Sequence, residues 1–109
     1  MKKILVAMLF GLFCVGSFAQ NLTAVQIYSD DELLDLIKEN AHLSRVVLDE
    51  CQLVQDIEAR AVKSKKPSYQ FLWGDMLAFG VCVKKDVELG LHFMKQAAEQ
   101  GLPEGLEQL

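Results

Sequence analysis

Cysteine and histidine have the widest chemical reach in this 109-residue chain, and it holds only three and two of them. Cys51 and Cys82 do not belong to a Cys-x-x-Cys pair, so dithiol redox catalysis lacks its motif. His42 and His92 are not spaced as ligand pairs with either cysteine, so a zinc set has nothing to recommend it. His42 sits among polar residues with no nucleophile nearby, and His92 falls on the wet side of its helix. Ser44 and Ser68 have no acid–base partner visible in sequence, and no glycine-rich phosphate loop is present. Asp30, Asp31 and Glu32 are accounted for by helix capping. The pattern points away from an enzyme, a metal, a cofactor or a small-molecule substrate. It leaves the cysteines to act structurally, as an internal disulfide, as separate buried thiols or as a bond to a partner.

The compartment decides among these, and the first nineteen residues bear on it. Lys2 and Lys3 form a positive start, Ile4 to Val15 is an apolar run, and Ser17 and Ala19 are small residues ahead of Gln20. This is the pattern of a secretory signal peptide over 1–19, cut between Ala19 and Gln20. The run is too short for a membrane span, which takes about 20 apolar residues. Cys14 is a poor lipidation site, because Phe13 stands where a small residue is wanted. The expected mature protein is exported, without a transmembrane anchor, and keeps two cysteines. In an oxidising compartment an even count reads first as a disulfide. Closing the Cys51–Cys82 loop is worth roughly 3–4 kcal/mol on the loop-entropy model.

Composition narrows the class further. The chain is 51% hydrophobic, so it can bury surface against chain entropy and is not disordered. Its formal charge is −4, and all 15 acids lie beyond the leader. Without a compensating basic stripe, that balance excludes nucleic-acid binding. The mature length allows one small domain at most.

The elements that must hold the cysteines are helices. Residues 20–28 lack helical period, and Leu22, Val25 and Ile27 suit an extended arm or short strand. A helical lead-in follows over 29–66. Ser29 and Glu32 form a capping box, Leu33, Leu34, Leu36 and Ile37 supply an apolar face, and Asn40 tolerates the stop. The spacing of Leu53, Val54, Ile57 and Ala61 predicts a second helix from about Val46 to Lys63. Lys63, Lys65 and Lys66 then read as cations at a helix C-terminus. Pro67 opens a third helix, with Tyr69, Leu72, Trp73, Met76 and Leu77 on one face and Gly80 at its end. Asp86 is the N-cap of a fourth, whose face is Val87, Gly90, Leu91, Met94, Ala97 and Ala98, ending at Gly101. Pro103 restarts the pattern 36 positions after Pro67. A helix pair at that period means a solenoid.

The stretch Trp73, Gly74, Met76, Leu77, Gly80, Cys82, Val83, Asp86, then Gly90, Phe93, Met94, Ala97, Ala98 and Gly101, resembles a SEL-like repeat. That family is a short relative of the tetratricopeptide repeat. Trp73 stands at the family's Leu, Leu77 at its Tyr, Gly90 at its Ala, and Phe93-Met94 at its Trp-Tyr. Cys82 replaces the second connector glycine, which makes sense for a bond back to Cys51. The fold implied is all-α: antiparallel helix pairs forming the start of an α-solenoid, with a SEL-like repeat over 67–102 and a further, truncated one begun at 103–109. Solenoids bind partners along the concave face of each first helix, which points to Tyr69, Gln70 and Asp75.

Residues 51–61, 69–78 and 96–103 resemble the MotX family, periplasmic proteins of sodium-driven polar flagellar motors. The resemblance covers nearly the whole chain but only about the amino-terminal half of that family's length. It implies a structural protein without catalytic activity or cofactor. It would lie in a periplasmic ring at the basal body with MotY and help install the PomA–PomB stator units. A different SEL-like adaptor of the cell envelope shares the fold and differs only in partner.

Overall fold

The structure, a computed structural model, describes residues 25–103. The leader, the Ala19–Gln20 cut, Leu22 and residues 104–109 lie outside them. Among the described residues the elements are all helical: α1 (Asp30–Lys38), α2 (His42–Leu48), α3 (Val54–Val62), α4 (Pro67–Phe79) and α5 (Val87–Glu99). Residues 25–29 precede α1 without regular structure, and Tyr28 there is buried.

The helices begin where their caps put them. The Ser29 side chain accepts from the Glu32 N–H at 3.1 Å. Only half of the expected box forms, because the Glu32 carboxylate turns to Arg45 instead, 3.6 Å away. Asp86 accepts from the Leu89 N–H in the same way at the start of α5. Pro67 occupies the first turn of α4, where its missing N–H goes unneeded.

Four helices end in one device. A residue turns to positive φ, and the next N–H reaches back five residues to a carbonyl. The turning residues are Asn40, Glu50, Gly80 and Gly101. The bonds are Ala41 to Leu36, Cys51 to Val46, Val81 to Met76 and Leu102 to Ala97, at 2.8 to 3.1 Å. The stop at Glu50 corrects the expected single helix from Val46 to Lys63. Two helices stand there, separated by a turn in which both Glu50 (φ 59°) and Cys51 (φ 60°) are left-handed. Neither residue type announces such a turn.

The core is laid around α4, which is buried on every side from Ser68 to Leu77. Leu33 and Ile37 of α1, Val46 of α2 and Ile57 and Ala61 of α3 reach the same core, as do Phe93, Met94 and Ala97 of α5. The face of α5 therefore differs from the expected one. Phe93 is interior, while Val87 (46%) and Leu91 (41%) are exposed. The α4–α5 pair crosses at two glycines. A Cβ on Gly90 would lie 2.5 Å from the Gly74 carbonyl oxygen, and one on Gly74 would lie 2.7 Å from that of Gly90. Those neighbours are backbone, so any larger residue forces the two helices apart.

Candidate functional site

The chemistry of this molecule gathers where the lead-in meets α4. Cys51 sits in the turn after α2 and Cys82 in the connector after α4. Their sulfurs are bonded, with the Cα atoms 5.6 Å apart. Cys82 has φ 64°. Glycine is the residue that takes that conformation at no cost, so the cysteine accepts a penalty of about 1 kcal/mol for the bond. The tie fastens the end of α2 to the end of α4.

Beneath it, polar side chains cross between elements. His42 of α2 donates from Nε2 to the Asp75 Oδ2 of α4 at 2.6 Å, with both residues buried. The His42 ring also leans on Phe71, with centroids 5.2 Å apart. His42 Nδ1 and Asp75 Oδ1 have no partner among the described residues. Ser68 donates to the Asp30 carboxylate, and Tyr69 donates to the Tyr28 backbone carbonyl. Tyr28 in turn donates to Asp49 at 2.6 Å, under the Arg45 guanidinium. On the other side, Gln70 donates to Gln96 at 3.0 Å and accepts from Gln100 at 2.6 Å.

Burial raises the pKa of both tyrosine hydroxyls. At Tyr28 the hydrogen bond to Asp49 and its charge add to this, while Arg45 opposes it. At Tyr69 the nearby Arg60 opposes it.

This geometry revises the expected residue roles. Tyr69, Gln70 and Asp75 are buried at 1–3% exposure, so they are not an open partner surface. Each has at least one side-chain polar atom bonded to a residue distant in sequence. Ser68 does have an acid partner, Asp30, and His42 does have one, Asp75. Both partners come from distant sequence positions, which is why neither was visible. The His42–Asp75 pair has the composition of an acid–base dyad, and both side chains are buried. His92 and Ser44 are exposed. Among the described residues no three His, Cys, Asp or Glu side chains converge as a metal site. Nor is any helix there long and apolar enough to cross a membrane.

The repeat signature residues divide between packing and turning. Trp73 and Ala97 are buried and Ala98 is half-buried. Gly74 and Gly90 make the helix crossing, and Asp86 caps α5. Gly80 and Gly101 take positive φ at the helix ends.

No family model matches the chain, and no solved structure matches it significantly. A curated protein does. The chain is 60% identical over 85 residues to the sodium-type polar flagellar protein MotX of Vibrio parahaemolyticus. The matched stretch is 78% of this chain, and the chain spans about 40% of that relative's length. Over that stretch, the chain is a homologue of the sodium-type polar flagellar protein MotX.

Proposed function

We propose that this protein is a non-catalytic structural subunit of a sodium-driven polar flagellar motor, working in the periplasm at the basal body. In this reading its partners are a MotY-like ring protein and the PomA–PomB stator units, whose assembly it supports. The observation that carries the reading is the 60% identity over 85 residues to a protein named for that motor. Two features of the molecule agree with it. The functional chemistry spent here goes into holding helices together, with a disulfide suited to an oxidising compartment. The α4–α5 hairpin, closed by facing glycines, has the form expected of one SEL-like repeat.

Deleting the gene and measuring swimming in sodium-containing medium tests the proposal. Loss of sodium-dependent swimming, restored by the intact gene but not by a leaderless one, is the expected result. A deletion strain that swims normally would reject the motor role and favour an adaptor for other envelope proteins. Co-purification with a MotY-like protein then identifies the partner.

A further inference from the structure

The two halves of the Cys51–Cys82 bond have different surroundings. Cys51 is exposed, in the turn between α2 and α3. Cys82 is partly buried and packs against the core, as do its neighbours Val81 and Val83. Structural disulfides resist reduction, whereas exposed or strained ones are the labile kind.

Strain is present at both ends. Cys51 holds φ 60° and Cys82 holds φ 64°, a region that a residue with a Cβ enters at a cost. Neither cysteine lies within a helix, so the two sulfurs can part without breaking one. Opening the bond also leaves other fastenings in place. The His42–Asp75, Asp30–Ser68 and Tyr28–Tyr69 bonds still join the lead-in to α4. The α4–α5 pair keeps its crossing at Gly74 and Gly90.

Thiol exchange gives the asymmetry its meaning. An attacking thiolate approaches one sulfur along the line of the S–S bond, from the side away from the other sulfur. The exposure of Cys51 leaves that approach open, and the packing of Cys82 on the core obstructs it.

We propose that the Cys51–Cys82 bond is a redox-sensitive latch that external thiols open in the folded protein, entering at the Cys51 sulfur. The incoming thiolate bonds to Cys51 Sγ, and the electron pair of the broken S–S bond leaves with Cys82 as a thiolate, which takes up a proton from water. A second external thiolate then attacks the incoming sulfur of the mixed disulfide and releases Cys51 as a thiolate. Both cysteines end reduced, and two external thiols end oxidised as one disulfide. The latch stands independently of the motor reading, which swimming tests and reduction kinetics do not.

The test is the rate at which glutathione reduces the purified, oxidised protein under mildly alkaline conditions, followed by mass, in rising urea below the unfolding midpoint. The rate should be first order in glutathione and within about tenfold of that for the exposed disulfide of a short peptide. Urea should leave it unchanged, because no unfolding precedes the attack. In samples quenched early with acid and digested, glutathione should sit on Cys51 roughly tenfold more often than on Cys82. After complete reduction with dithiothreitol, circular dichroism should keep most of its helical signal. Hydrogen exchange should then quicken in α1 to α3 before it does in α4 and α5. Three results would each overturn the proposal: a rate that climbs steeply with urea, glutathione found mainly on Cys82, or loss of the helical signal on reduction.

Discussion

The lead-in (α1 to α3) and the α4–α5 pair solve the same problem by different means. The pair is held by shape: two helices of 13 residues each cross at backbone distance through Gly74 and Gly90, with Phe93, Met94 and Ala97 filling the seam. The lead-in helices are 9, 7 and 9 residues long, too short to be stable alone. The segments carrying α1 and α2 are fastened to α4 and its connector by specific ties, namely the disulfide, the His42–Asp75 pair, the Asp30–Ser68 bond and the Tyr28–Tyr69 bond, while α3 packs through Ile57 and Ala61. The contrast teaches where each half is fragile. The pair fails when volume is added, and the lead-in fails when a partner is removed.

Breaking the pair by volume should give the largest effect. Gly90→Val meets the Gly74 carbonyl and the Ala78 backbone, and the helices have no way to yield without parting. Unfolding in urea should show a loss of about 3 kcal/mol or more, or no folded protein. A mild effect would mean the crossing is looser than 2.5 Å implies. Removing His42 strikes the lead-in. His42→Leu leaves the Asp75 carboxylate buried without its partner and should cost about 3–5 kcal/mol. The double variant His42→Leu/Asp75→Leu should recover most of that, because nothing is then left unpaired. If the double variant is as unstable as the single, the contact matters for its shape.

The disulfide separates the halves most directly. Cys51→Ser with Cys82→Ser should cost roughly 3–4 kcal/mol. In hydrogen exchange the loss should appear first in α1 to α3, with α4 and α5 still protected. Uniform loss would show that the two regions unfold as one. The caps give smaller effects of about 1 kcal/mol each. Ser29→Ala should loosen α1 and leave the pair intact, and Asp86→Ala should do the reverse.

The smallest effect is alkaline. The folded state keeps the protons of Tyr28 and Tyr69 more tightly than the unfolded chain, which releases them near pH 10. Stability should be flat below that pH and fall above it. Thermal melts across that range, with Tyr28→Phe as control, check the sign.

What the sequence discloses follows the same division. Ser29, Pro67, Gly80, Asp86 and Gly101 act on neighbours a few residues away, and their roles are legible from local pattern. Gly90 is small on a helical face, which already signals close approach. The break at Glu50 is not legible, because glutamate does there what glycine or asparagine usually does. Tyr69, Gln70 and Asp75 mislead for a different reason. Their polarity reads as exposure until the partners are known, and Tyr28, Gln96, Gln100 and His42 come from 26 to 41 positions away. His42 is the sharpest case, since its acid lies 33 residues distant. The pairing of Cys51 with Cys82 is legible only through the expectation of export and of the oxidising compartment that goes with it.

The Cys51–Cys82 bond also changes how the molecule carries a load. A pull applied before Cys51 and after Cys82 passes from one sulfur to the other and never enters residues 52–81. Helices α3 and α4 are therefore mechanically bypassed, and about 100 Å of chain cannot be paid out under tension. Reduction would return that slack. The covalent tie thus works as a limit on extension as well as a source of stability.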